Sequence, residues 1–334
     1  MKTLITVTNP KLKKLIFRTE ALEKLAQWSE VHWLDHRGEL HGLPLADVLH
    51  DFDACLTSWG SPRLTAELVE KAPKLKFIGH AAGTVVPYVD PSLFMKGITI
   101  VNANSALSRA TAEGTVAMMA AGSYQLLSYN RTFTEGGWAD NDTEYVPGLY
   151  RQTIGLIGYG DIAREVIRLL QPYEPQILLY SNHCSEAEAA SLGLHLCSHL
   201  DELLERSHII SLHNTLTSTS RGMIGQRELD LIQNGALLIN TARGPIIDEH
   251  ALAATLGTGR IRAMLDVFDT EPLNLTSPLR RLPNVWCFPH IAAYSGYWKS
   301  RLGQTVIEDM ERWIRGGKLT GEITVDKYNR MTLM

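Results

Sequence analysis

The run Gly158-Tyr159-Gly160-Asp161-Ile162-Ala163 fits G-x-G-x-x-G/A, a spacing that suits a backbone built to meet phosphates. Gly158 permits a tight turn, Gly160 lets the main chain approach a pyrophosphate, and Ala163 is small enough for close helix–strand packing. An apolar strand, Thr153–Ile157, precedes the run. A helix over Asp161–Leu170 follows, with Ile162, Val166, Leu169 and Leu170 on one face. Its N-terminus offers free N–H groups and a partial positive charge to the phosphates. A Gly-rich turn without a ligand is the plainer alternative, but strand, turn and helix all agree with a dinucleotide site, in which Asp161 and Ile162 also stand.

The next strand, Gln176–Tyr180, runs into Ser181-Asn182-His183. A site for NAD usually ends this strand in Asp or Glu, which accepts from the ribose hydroxyls. None is present. A carboxylate there would repel a 2′-phosphate, so its absence admits NADP; yet no Arg stands ready to clamp that phosphate, and Ser181 or Asn182 can hydrogen-bond a bare ribose. NAD and NADP both stay open. Asp161 adds negative charge beside the pyrophosphate, with Arg164 as its expected offset.

Later strands end in ionisable residues. Asn240-Thr241-Ala242-Arg243-Gly244 closes the strand that starts at Leu237. Asp266 ends Ala263–Asp266, Glu271 follows in Asp269-Thr270-Glu271-Pro272, and His290 follows Val285–Phe288. In an open parallel sheet, ligands bind outside the carboxyl ends of the strands. Arg243, Glu271 and His290 therefore fall on the edge where a nicotinamide would sit. Singly, each has a plainer reading: a surface salt bridge, a turn acid, a loop histidine.

The elements that must position these groups are α/β in pattern. Strand candidates Leu4–Thr8, Val31–Leu34, Ala54–Thr57, Phe77–Gly79 and Ile98–Asn102 alternate with helical or loop stretches, among them Lys11–Trp28. A second series runs from Thr153 through Ile209–Leu212 to Val285–Phe288. Repeated β-α-β order argues for parallel sheets with helices on both faces. Ala110–Tyr129 reads as one long buried helix and Thr134–Gly148 as a loop. A last helix, about Tyr297–Arg315, carries Leu302, Val306, Met310 and Trp313 on one stripe.

Taken together, these motifs resemble the D-isomer-specific 2-hydroxyacid dehydrogenase family. The resemblance is carried by Gly155–Ala163, Ser211-Leu212-His213-Asn214-Thr215-Leu216-Thr217, Asn240–Gly244, Leu265-Asp266-Val267-Phe268 with Glu271-Pro272, and Pro289-His290-Ile291-Ala292. It implies two Rossmann-like doubly wound parallel-sheet domains. The NAD(P)-binding domain, 104–295, is inserted in a substrate (catalytic) domain of 1–103 plus 296–334, and hinge closure would exclude water from hydride transfer.

The resemblance further implies that Arg243, Glu271 and His290 are the catalytic residues. A planar guanidinium at Arg243 suits a substrate carboxylate and polarises the neighbouring carbonyl. His290 protonates the carbonyl oxygen as hydride arrives at C2 and takes the proton back in oxidation. Glu271 fixes its tautomer and favours the protonated form. Asp266 would accept from the nicotinamide carboxamide. His213, Asn214, Thr215, Thr241, Ala242, Arg243 and His290 complete the implied cofactor contacts. Formate dehydrogenases, a related group, carry Gln at the acid's position, so Glu271 favours 2-hydroxy acid chemistry.

On the substrate side, His80-Ala81-Ala82-Gly83-Thr84-Val85 stands where the family often has a Gly-x-Gly loop, which places a carboxylate on Ala82 and Gly83 backbone N–H groups. Val85 replaces the second glycine. Two further departures are Gly114, where the family often has His, and Thr215 for the usual Pro. His195-Leu196-Cys197-Ser198-His199, with Cys184 upstream, matches no common zinc spacing, so no metal is expected.

The bulk properties agree. At roughly 100–200 residues per domain, 334 residues suggest two domains. A balance of 32 Lys+Arg against 36 Asp+Glu, net −4, gives a nucleic acid or anionic membrane no broad basic surface. No apolar run approaches the ~20 residues that span a bilayer. The N-terminus lacks a signal-like apolar stretch, and four scattered cysteines suit free thiols in a reducing cytoplasm. The partner expected is a small 2-oxo or 2-hydroxy acid, and the family pattern adds a homodimer through the cofactor domain. The competing reading is a dinucleotide-sensing, corepressor-like binding protein with little or no turnover.

Overall fold

In the computed structural model, which describes residues 1–139 and 146–331, contacts divide the chain into two compact units. Unit 1 is Met1–Ala110 with Tyr294–Met334, and unit 2 is Thr111–Ala293. The first division falls within the helix Asn104–Ser123. Part of the loop expected at Thr134–Gly148, residues 140–145, lies outside the described residues.

Unit 1 is built on β1 (Lys2–Ile5), β2 (Glu30–Trp33), a small antiparallel hairpin of β3 (Glu39–Leu40) and β4 (Leu43–Pro44), then β5 (Ala54–Thr57), β6 (Phe77–His80) and β7 (Thr99–Asn102). The parallel sheet has the order β2-β1-β5-β6-β7. Side chains alternate between its faces. Leu4, Cys55, Ile78 and Ile100 enter one core, and Ile5, Leu56, Phe77 and Val101 the other. The helix Gly296–Ile314 seals the second core with Leu302, Val306, Ile307 and Met310. From this helix the fully buried Asp309 accepts from the N–H groups of Thr320 and Gly321, at 2.9 and 2.6 Å. Gly321 O then accepts from Asn102 N, and Asn102 Nδ2 donates to Gly83 O at 2.5 Å.

The helix expected over Lys11–Trp28 is two helices, Pro10–Ile16 and Thr19–Ala26. Asn9 caps the first through Lys11 N and Leu12 N. Both pack on one core through Ile16, Ala21 and Leu25, so the apolar spacing runs on across the break.

Unit 2 carries β8 (Thr153–Ile157), β9 (Gln176–Tyr180), β10 (His195–Leu196), β11 (Ile209–Leu212), β12 (Leu237–Asn240), β13 (Arg262–Leu265) and β14 (Val285–Cys287). They form a parallel sheet of order β10-β9-β8-β11-β12-β13-β14. This is the doubly wound arrangement, with its topological switch between β8 and β11. Ile157, Leu178, Ile210, Leu238 and Leu265 face one core; Leu156, Leu179, Ile209, Ile239 and Met264 face the other. Near-continuous apolar strands follow from burial on both faces.

The helix expected over Ala110–Tyr129 begins earlier and stops sooner. It spans Asn104–Ser123, and a second helix covers Leu126–Thr134. Gln125 between them adopts φ 53°. Arg262 takes the Gly122 carbonyl at 2.7 Å, satisfying one of the acceptors a helix end leaves open.

Candidate active site

The turn after β8 has the shape its glycines suggested. Gly158 sits at φ +100°, and a Cβ there would lie 2.9 Å from Asn214 N. Gly160 begins the helix Asp161–Leu170 without a capping side chain, and nothing lies within 4 Å of the place a Cβ would take. Ala163 is buried and Ile162 half-buried on the core, while Asp161 is exposed in the first turn.

Arg164 does not serve mainly as the offset for Asp161. Its guanidinium pairs with Glu188 Oε1 at 2.6 Å, touches Tyr159 OH at 3.0 Å and lies 3.9 Å above the Tyr159 ring. The Tyr159 hydroxyl also donates to Glu188 Oε1 at 3.0 Å. Desolvation, followed by that carboxylate, pushes its pKa up to about 12. Glu188 was missed in the sequence because it stands on the helix Glu186–Ser191, beyond the expected acid position.

At the end of β9, Ser181 Oγ accepts from His183 N at 3.1 Å, and the side chains of Asn182 and His183 are exposed. After β11, His213 N donates to Ile157 O, and Thr215 O accepts from Ser220 Oγ. Asn214 Nδ2 points at Met223 Sδ. His213 Nε2 and Asn214 Oδ1 are buried without a hydrogen-bond partner. Burial lowers the His213 pKa to about 4, so the ring is neutral. Unsatisfied buried polar atoms beside an open glycine turn are what an extended, phosphate-bearing ligand would complete.

Farther along the sheet, Thr241 Oγ1 meets Thr115 Oγ1 at 2.8 Å, and Ala242 N donates to Asn240 Oδ1. Arg243 is half-buried, and its NH1 donates to Ala242 O at 2.6 Å. Among the described residues it makes no ion pair within 4 Å. Burial lowers its pKa, and Glu271 nearby acts the other way. The following Gly244 packs against the Phe268–Asp269 backbone, which brings the Arg243 and Glu271 segments together.

His290 Nδ1 and Glu271 Oε2 are 2.7 Å apart, and Glu271 Oε1 accepts from Phe268 N at 3.1 Å. With Glu271 on Nδ1, Nε2 is left for a substrate. The imidazole is about half exposed. Its backbone has φ 55°, uncommon for a residue with a Cβ and frequent where side-chain presentation matters.

Asp266 holds that turn. It is fully buried and accepts from Ile291 N at 2.7 Å and Ala292 N at 2.8 Å, while its carbonyl accepts from His290 N. Desolvation raises its pKa against those two N–H groups. Both carboxylate oxygens position the His290 turn, and each keeps a further lone pair with which the implied nicotinamide carboxamide can be accepted. Gly114 gains a reason as well, since a Cβ there would lie 2.1 Å from Ala292 O.

In unit 1, the loop that carries Ala82 and Gly83 turns sharply. The Ala82 N–H is spent on His80 O at 2.8 Å, because the chain turns back at that point. Among the described residues, the N–H groups of Gly83, Thr84 and Val85 are without partners. His80 is buried, stacked on Tyr88, and bonded through Nδ1 to Thr57 Oγ1 at 2.8 Å.

A family model described as D-isomer specific 2-hydroxyacid dehydrogenase, NAD binding domain, matches residues 116–292. The chain is 34% identical over 276 residues, 81% of its length, to D-3-phosphoglycerate dehydrogenase of Methanocaldococcus jannaschii, of which it covers 52%. It thus spans about half the length of the phosphoglycerate dehydrogenases it matches. It is 32% identical to glyoxylate reductase of Korarchaeum cryptofilum, covering 81% of this chain and 82% of that protein. The crystal structure of TT0316 protein from Thermus thermophilus aligns with a TM-score of 0.75 and 27% identity, over 97% of this chain and 100% of that one. The chain belongs to the D-isomer specific 2-hydroxyacid dehydrogenase family.

Proposed function

We propose that this protein is an NAD(P)-dependent oxidoreductase that interconverts a 2-oxo acid and a D-2-hydroxy acid. The observation that carries the reading is the 2.7 Å contact of His290 Nδ1 with Glu271, with Arg243 beside that carboxylate, at the carboxyl end of the unit 2 sheet. Bound dinucleotide supplies or accepts the hydride at C2. Gly158, Gly160 and the N-terminus of Asp161–Leu170 hold its pyrophosphate, and Ser181, Asn182 and His183 face its adenosine ribose. His213 and Asn214 offer their unpartnered polar atoms, and Thr241 and Ala242 line the approach to Arg243.

Arg243 binds the substrate carboxylate and polarises the adjacent carbonyl. His290, its tautomer fixed by Glu271, gives the Nε2 proton to the carbonyl oxygen in reduction and recovers it in oxidation. Asp266 positions rather than reacts. We assign unit 2 to the dinucleotide and unit 1 to the acid, since its Gly83–Val85 loop carries three unpartnered N–H groups of the kind that hold an anion. Both NAD and NADP fit the end of β9, where no acid repels a 2′-phosphate and Ser181 and Asn182 can bond a bare ribose.

The test is a panel of glyoxylate, hydroxypyruvate, pyruvate and bulkier 2-oxo acids with NADH and NADPH. Turnover of at least one acid is expected, lost in Arg243→Ala and His290→Ala while dinucleotide binding persists. Tight dinucleotide binding with no turnover of any acid would instead indicate a sensor.

A homodimer through unit 2 is supported by the exposed Tyr124, Leu126, Phe133 and Trp138, large apolar side chains close together in the chain. Sedimentation of Trp138→Ser against the parent tests it. Four free cysteines suit a cytoplasmic site, and among the described residues no helix is long and apolar enough to cross a membrane.

A further inference from the structure

We propose that His195, Cys197 and Glu202 form a three-ligand site for a divalent transition metal of the zinc class at the β10 edge of the unit 2 sheet. This goes beyond the reaction proposed above and does not depend on it. The sequence spacing did not suggest the site, because the third ligand comes from a helix rather than from His199 or Cys184. His195 opens β10, and Cys197 follows it with its N–H still paired to β9 through Leu179 O, so the two-residue spacing turns both to one side. Glu202 lies in the first turn of the helix Leu200–Arg206 and reaches back to them.

One ligand atom from each residue lies within 4.8 Å of the other two, and His195 Nε2 is 2.7 Å from Glu202 Oε1. Tetrahedral zinc, bonded at about 2.0–2.3 Å, keeps its ligand atoms about 3.3–3.7 Å apart. Side-chain shifts of about 1 Å therefore close the site. Cys197 is 4% exposed, and its N–H is bonded to Leu179 O at 2.8 Å, so its backbone is held and its side chain shielded. A mixed sulfur, nitrogen and oxygen set favours zinc-like ions over magnesium or calcium, which prefer oxygen alone. Three protein ligands leave a fourth position to water.

Arg206 is the metal's rival. Its guanidinium contacts Glu202 Oε1 and lies 3.4 Å from His195 Nε2. It ends its helix with a side chain 43% exposed, so it can leave for solvent when a dication replaces it. On binding, the Cys197 thiol releases its proton to solvent and coordinates as thiolate. The ion would tie the two-residue strand β10 to the helix that follows it, at an open sheet edge.

Cobalt(II) is the probe, added to the full chain after dialysis against a chelator. One equivalent is expected to produce a thiolate-to-cobalt charge-transfer band in the near ultraviolet, which zinc abolishes by displacement. Cys197→Ser should remove the band, and His195→Gln, at an exposed position tolerant of change, should weaken binding at least about tenfold. Arg206→Leu should tighten it. The absence of a band at saturating cobalt, or a band with unchanged affinity in both ligand variants, overturns the proposal.

Discussion

Gly244 lies so close to Phe268 that a Cβ on the glycine would be 1.9 Å from the Phe268 carbonyl carbon. The two segments meeting there carry Arg243 and Glu271. Gly244→Ala must push the strands' carboxyl ends apart. It should cost about 1–3 kcal/mol in urea unfolding, as overpacked sites do. It should also lower kcat/KM more than any change in dinucleotide affinity. Normal turnover at parental stability would show that the contact is dispensable.

The Glu271–His290 pair predicts graded losses. His290→Ala should reduce kcat by about 10²–10⁴-fold, the usual worth of a positioned proton donor. Glu271→Gln keeps an acceptor for Nδ1–H but no charge, so its loss should be smaller, about 10²-fold. Equal rates for the glutamine variant and the parent would remove Glu271 from the proton path.

Asp266 separates two roles by measurement. If it positions the His290 turn, Asp266→Asn replaces one acceptor with a donor facing an N–H. Then kcat falls, while the dinucleotide Kd stays within about threefold of the parent, a cost under 1 kcal/mol. A large rise in Kd with kcat preserved would assign Asp266 to the carboxamide instead.

His80 ties stability to pH. Burial lowers its pKa to about 3 in the folded chain, against 6.5 for the free side chain. The unfolded chain therefore binds the proton first as pH falls. The group takes nothing from stability above pH 6.5, and stability declines between pH 6.5 and about 3. Between pH 7 and pH 5 the loss should be on the order of 1–2 kcal/mol by denaturant titration. His80→Gln should flatten that dependence; an unchanged slope would exclude His80 as its source.

The unit 2 strands were legible because burial on both faces makes them short apolar runs bounded by turn residues. Thr153–Ile157, Gln176–Tyr180 and Ile209–Leu212 begin and end where the sequence put them. The glycine turn was legible because φ +100° at Gly158 and open space at Gly160 are demands on residue type. What escaped involves partners far apart in the chain. Arg164 reaches Glu188, and Asp266 reaches Ile291 and Ala292. No local pattern encodes such pairings. The same holds for the break at Gln125, where Arg262 meets the helix end. Gly114 looked like a deviation until Ala292 was seen to occupy the room a side chain would need.

The relay from Asp309 through Gly321 and Asn102 to Gly83 makes a remote stretch of sequence a tuner of the loop assigned to the acid. Proteolytic nicking or tag insertion near residues 319–323 should therefore blunt catalysis while leaving nucleotide capture intact. Such an injury would pass a cofactor-affinity column and still yield a silent enzyme.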